Sequence, residues 1–229
     1  MDLENKYSYG GIDCFRLIAA ILVIAVHTSP LLNISGYANL LLTRIIARVA
    51  VPFFFMTTGY FMYQKTSVKD FNIKRHLIKI GKVYVLAIIL YLPINVYMGY
   101  FYHNNLLLKI VKDILLNGTL YHLWFMPALM TGICIVHYLL KKYSYYKTFI
   151  VVTILYFFAL LGDSYSILMQ NSYFLHAIFT RVFIVFNYTR NGILFAPLFI
   201  FMGVTLSKKN KHVKKTCKLG LTLSFKLYS

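Results

Sequence analysis

Arg16 and His27 stand eleven residues apart in a stretch that is otherwise almost wholly apolar. On an α-helix that spacing is close to three turns. Both side chains then share one face, about 16 Å apart along the axis at 1.5 Å rise per residue. The imidazole of a histidine titrates near neutral pH and can take a proton from a hydroxyl. A guanidinium can orient an anionic group or stabilise negative charge that develops during reaction. Asp13 lies three residues before Arg16, the right spacing to pair with it on the helix surface and offset part of the cost of burying its charge. An arginine this close to a helix end can equally snorkel to lipid headgroups. His27 is about four turns in, between Val26 and Thr28. An ionisable residue there is a functional candidate by default, with a neutral, hydrogen-bonded core histidine as the structural alternative.

A second basic pair, Arg44 and Arg48, is spaced i,i+4 just before Pro52. Two cations on one helix face repel unless an anion or a carbonyl lies between them. They are therefore candidates to bind an anionic substrate group, the alternative being an interfacial helix start. Pro52 kinks or opens the helix before Phe53, Phe54 and Phe55. His122 and Trp124 lie in the run Tyr121-His122-Leu123-Trp124-Phe125, which composition alone assigns to an interfacial aromatic belt. The basic stretch Lys74–Lys82 reads as a loop that could grip the phosphates of a nucleotide-bearing donor such as acyl-CoA. The commoner reason for such a cluster is membrane topology.

These residues must be held by membrane-spanning helices. Of the 229 residues, 59% are hydrophobic and only 13% charged. The apolar residues come in continuous blocks such as Leu17–Val26 and Ile150–Leu161, not in the alternating pattern of a transmembrane β-barrel. The expected fold is an all-α, polytopic helical bundle. Six spans are expected, at about 12–32, 40–63, 83–102, 122–140, 148–162 and 193–206. The sixth is short and draws on residues before Arg190. Segment 164–189, interrupted by His176 and Arg181, fits an interfacial helix or a re-entrant piece.

The net charge is +18, with 24 basic residues against six acids. Most of the basic residues fall between spans on one side, around Lys65–Lys82, Lys141–Lys147 and Lys208–Lys218. The positive-inside rule then puts both termini in the cytoplasm of a cell whose plasma membrane the chain crosses several times. Nucleic-acid binding is not expected, because no soluble domain presents the basic clusters. Asp2, Glu4 and the long first apolar block argue against a cleaved signal, so the first span is expected to stay as an anchor. Three cysteines without a CxxC pair support neither a disulfide framework nor a metal site.

Three blocks, in order, resemble the acyltransferase-3 family of membrane enzymes. Asp13-Cys-Phe-Arg16, ten residues and His27 resemble its first-helix motif. Arg48-Val-Ala-Val-Pro52-Phe-Phe-Phe-Met-Thr-Thr-Gly59-Tyr resembles its second-helix block, and His122-Leu-Trp124-Phe a third. Leu161-Gly-Asp163-Ser-Tyr and Arg190-Asn191-Gly192-Ile-Leu-Phe-Ala-Pro197 resemble the subgroup formed by the membrane domains of membrane-bound serine/alanine racemases of vancomycin-resistance clusters. The resemblance implies a bundle of about ten spans, of which about six are present. It implies a domain over 12–207 after a cytoplasmic N-terminus at 1–11, with a basic and aberrant-looking tail at 208–229.

The same resemblance implies acyl transfer from a cytoplasmic acyl-CoA-type donor to a hydroxyl acceptor of the cell envelope, with no bound cofactor. His27 matches the catalytic histidine and Arg16 its paired basic residue. Arg44, Arg48, His122, Trp124 and Arg190 are the substrate-binding candidates. The family's Arg-x-x-Arg pair is met here by Lys74-Arg75-His76-Leu77-Ile78-Lys79, which leaves Arg75 and Lys79 as donor-binding candidates. The subgroup implies a second possibility, a serine-handling module, although no pyridoxal-phosphate racemase domain is expected. A third expectation is an inactive, truncated fragment. The lipid bilayer and small-molecule donor and acceptor are the expected partners, with a further helical partner or an oligomer completing the bundle.

Overall fold

The computed structural model describes residues 10–64, 66–102, 105–165 and 172–209. Residues 1–9 of the expected N-terminal segment and 210–229 of the basic tail, with Cys217, lie outside the described residues. The described chain is helical with no strand. Five helices are long and apolar enough to cross a membrane. They are α1 (Gly10–Thr28), the composite α2 (Gly36–Met62), α3 (Ile73–Tyr97), α5 (Tyr121–Lys142) and α6 (Tyr145–Gly162). Shorter helices are α4 (Leu106–Lys112), α7 (Tyr173–Val185) and α8 over 196–209.

Polar side chains set several of the helix starts. Ser35 accepts from the Ala38 amide at the head of α2, and Ser144 from the Lys147 amide at the head of α6. Asn72 does the same for α3, accepting from the Arg75 amide at 2.9 Å. This cap explains a correction. The basic stretch Lys74–Lys82 is not a loop but the first turns of α3, which therefore starts ten residues before the apolar block that betrays it. Charged residues lengthen a helix beyond the hydrocarbon without any apolar signal. A second correction concerns 193–206. Residues 186–195 are non-helical, so the last helix gains nothing from the residues before Arg190. Asn191 Oδ1 accepts from both the Ile193 and Leu194 amides and turns the chain into α8.

The core lies where α8 wedges between α2 and α5. Phe55, Met62, Leu129, Ile133, Val136, Ile200, Phe201 and Val204 are buried together. Two glycines allow the closest crossing. A Cβ at Gly59 would run into the Ile200 carbonyl, and one at Gly203 into the Met56 carbonyl. The α2 and α8 backbones therefore touch, as membrane helices do where small residues replace side-chain bulk. By contrast α1 packs along α2 and α3 along α5, and each leaves a long apolar face open, including Leu17, Ile21 and Ile24 on α1 and Val85, Ile89 and Leu90 on α3.

Candidate functional site

α2 is not one regular helix. Residues Leu41–Ile45 form a π-helical turn and Ile46–Val49 a 3₁₀ turn before the α-helix Ala50–Met62. Pro52 accounts for the break, because its ring clashes with the carbonyl one turn back and it has no amide to donate. Wide and tight turns in succession alter the register that a uniform helix would impose. Arg44 falls in the wide turn and Arg48 in the tight one, and both line one cavity.

That cavity has a volume of about 470 Å³ and lies at the end of the bundle where α1 finishes and α2 begins. His27, Arg44, Arg48, Trp124 and Arg190 all line it, so five sequence candidates spread over more than 160 residues meet there. Asn39, Thr43 and Tyr121 complete part of the wall. His122 abuts the same point: its ring centroid is 4.0 Å from that of His27. Tyr121 approaches His27 edge-on at 5.8 Å and Tyr188 at the same distance. The run Tyr121–Trp124 is a 3₁₀ turn, and Tyr121 and Trp124 face the site.

Asp163, at the end of α6, is the residue that sequence reading gave no role. Its Oδ2 lies 3.2 Å from Arg190 Nε and 3.8 Å from Arg48 Nη1. The Arg190 contact is an ion pair without hydrogen-bond alignment, since Nε is buried and has no hydrogen-bond partner. A signal for Asp163 existed: it is one of only six acids in a chain of 24 bases, and it ends a span. What could not be read was the pairing, because it joins three elements far apart in sequence.

A polar network holds the segment that leads to the cavity. Asp113 is buried, accepts from the Tyr100 hydroxyl at 2.8 Å and pairs with Lys109 at 3.2 Å. Burial, and then the hydrogen bond to Asp113, holds the Tyr100 hydroxyl above the ordinary tyrosine range. Asn117 Oδ1 accepts from the Asn187 amide, and the Thr189 hydroxyl donates to the Ala159 carbonyl. These bonds fix the segment that carries Tyr188 and Arg190. Burial and the neighbouring Tyr121 push the Tyr188 hydroxyl up, with Arg190 opposing them.

Arg16 is not brought to the cavity. It pairs with Asp13 at 2.8 Å and lies over the Phe61 ring at 4.8 Å, near the opposite end of α1. Arg75 and Lys79 are at that opposite end too, on a shallow groove of α3 with Asn72, Lys74, Ile78 and Lys82. The candidates thus fall into two groups, one at each end of the bundle.

A family model described as an acyltransferase domain matches residues 9–224. An amino-acid racemase of Enterococcus faecalis is 47% identical over 214 residues, covering 93% of this chain and 30% of that protein. A serine/alanine racemase of Enterococcus gallinarum is 40% identical over 218 residues, covering 91% and 30%. A second amino-acid racemase of Enterococcus faecalis is 35% identical over 221 residues. The chain spans about 30% of the length of these relatives. No solved structure matches it.

Proposed function

Because this chain belongs to the acyltransferase-3 family of membrane proteins, we propose that it transfers an acyl group from an acyl-CoA-type donor to a hydroxyl acceptor at the cavity. The observation that carries the reading is the meeting of His27 and His122 at the mouth of an arginine-lined cavity. Neutral His27 takes the proton of the acceptor hydroxyl as its oxygen attacks the thioester carbonyl. The carbon–sulfur bond then breaks, and the leaving thiolate takes up the proton. The net positive charge of the cavity favours the oxyanion that forms on the way. Donor phosphates fit the other end, where Arg75, Lys79 and Arg16 stand. Arg16 then orients the donor and does not touch the reacting carbon.

The test is acyl transfer by purified protein. His27→Ala should lower the rate by about 10²–10⁴-fold, the usual contribution of a general base. Transfer at the parent rate would end the proposal.

A second reading is favoured by the relatives, which are amino-acid and serine/alanine racemases. In it the membrane domain handles serine without covalent chemistry, and Arg44 or Arg48 pairs with the amino-acid carboxylate. Uptake of labelled serine by proteoliposomes tests it, and uptake no greater than that of empty liposomes removes it.

A further inference from the structure

The charges of the cavity are unequally matched. Arg44, Arg48 and Arg190 line it, and Asp163 is the carboxylate among the lining residues, which leaves an excess of two positive charges. Asp163 lies within ion-pair distance of Arg48 and Arg190. Arg44 has no ion pair or hydrogen bond among the described residues. Two further polar atoms of this site are buried without a hydrogen-bond partner: Asn39 Oδ1 and Arg190 Nε. Arg190 Nε can donate to water or to a ligand oxyanion, whereas Asn39 Oδ1 accepts and needs a donor such as water or the hydroxyl of a ligand. A guanidinium held open in a half-enclosed cavity favours a planar or tetrahedral oxyanion, which it meets with two parallel N–H donors.

We infer that the cavity takes an acceptor that carries one oxyanion, a carboxylate or a phosphate, with Arg44 as its anchor and Asp163 as the internal anion that keeps Arg48 and Arg190 occupied. Asp163 is then a specificity-determining residue. It lowers the positive charge of the site to suit one oxyanion and competes with any ligand that seeks all three arginines. The inference rests on the acyl-transfer reading for its meaning, but binding can be measured without transfer. The oxyanion can belong to a small solute or to a lipid headgroup, since both present the same chemistry to Arg44.

The experiment is calorimetric binding to the purified protein in neutral detergent. The probes are glycerol 1-phosphate with glycerol as its neutral twin, and short-chain phosphatidylglycerol with a short-chain diacylglycerol as its twin. At least one anionic probe should bind, with its twin at least about tenfold weaker, the difference expected for one charge-assisted contact. Whichever anionic probe binds more tightly identifies the source. Arg44→Gln should weaken binding about tenfold, and Arg44→Lys should lose less. Asp163→Asn should tighten binding severalfold by freeing two guanidiniums. Rising salt should weaken binding to the parent protein, a readout that needs no variant to fold.

Neutral twins that bind as tightly as the anions would overturn the inference. So would Arg44→Gln that binds like the parent, Asp163→Asn that binds no more tightly, or binding indifferent to salt. Transfer to a neutral acceptor without anion binding would remove this inference and leave the acyl-transfer reading standing. Anion binding without transfer to any acceptor would do the reverse.

Discussion

α5 and α1 are both long enough to cross a bilayer, yet they are built differently. Half of the apolar window of α5 is buried inside the protein, against 11% for α1 and 6% for α3. α5 belongs to a packed half with α2 and α8, where glycines bring backbones into contact. α1 and α3 make up an open half: α1 packs on α2 and α3 on α5, and each turns a further apolar face that meets no other described element. The cavity lies on the border between the two halves. α1 supplies His27, while α2, α5 and the segment before α8 supply Arg44, Arg48, Trp124 and Arg190. The packed half thus presents the charges, and a lightly packed helix presents the base. The arrangement makes the position of His27 depend on its contacts at one end of α1, above all on His122.

The largest effect should come from the packed half. Gly203→Val places a Cβ, and two methyl groups beyond it, where the Met56 and Tyr60 backbones already stand. Overpacking costs about 1–3 kcal/mol when side chains can give way, and more when the obstacle is backbone. Gly203→Val should therefore lose the monodisperse peak in detergent. Leu90→Ala, on the open face of α3, should keep it with a stability change within about 0.5 kcal/mol. If both variants behaved alike, the division into two halves would be wrong.

The two ends of α1 come next. His122→Phe removes the polar neighbour of His27 but keeps a ring of similar size. It should lower transfer by roughly 10²-fold, the size of effect seen when a reacting group is misplaced. Arg16→Gln, at the far end, should chiefly raise KM for the donor and leave kcat closer to the parent. Steady-state kinetics with the donor varied separates the two. A fall in kcat for Arg16→Gln as large as that for His122→Phe would put Arg16 at the reacting atoms after all.

The helical class and the long spans were legible because continuous apolar blocks of bilayer length have few other uses. The start of α3 was not, since its first turns carry Lys74, Arg75, Lys79 and Lys82 and are marked only by the Asn72 cap. α8 was legible as apolar but not as core, because its role rests on where Gly203 meets α2. At the site, His27 stood out by its place in an apolar helix, and Arg44 and Arg48 by their spacing. By composition His122 read as a belt residue, because nothing local tells a ring facing lipid from one facing another ring, and only the family resemblance made it a substrate-binding candidate. The Arg16–His27 pairing came from helical period and from the first-helix motif, and a period says which side chains share a face, not which share a cavity. The acid that pairs with two of the arginines, Asp163, requires α2, α6 and the segment before α8 to meet, which only the tertiary structure shows.

Two acids sharpen the contrast between buried and exposed pairing. Asp113 is buried beside Tyr100 and Lys109, whereas Asp13 meets Arg16 on an exposed face. Asp113→Asn should cost about 1.5–3 kcal/mol, the range for a hydrogen bond to a charged group. Asp13→Asn should cost about 0–1 kcal/mol, as exposed pairs do. Thermal unfolding in detergent measures both, and equal losses would deny Asp113 its part in the buried network.

The smallest effect belongs to the basic groove of α3. Arg75 and Lys79 are exposed to solvent, so any donor phosphate they meet is screened by salt and shared with Lys74 and Lys82. Arg75→Gln and Lys79→Gln should each raise KM for the donor only a few-fold, leave kcat in place, and lose even that effect at high ionic strength. The same substitutions should not alter anion binding at the distant cavity. A fall in kcat would mean that the groove does more than hold the donor. No change in KM at low salt would return the cluster to the commoner role of basic residues at a membrane border, which is to set how the helices insert.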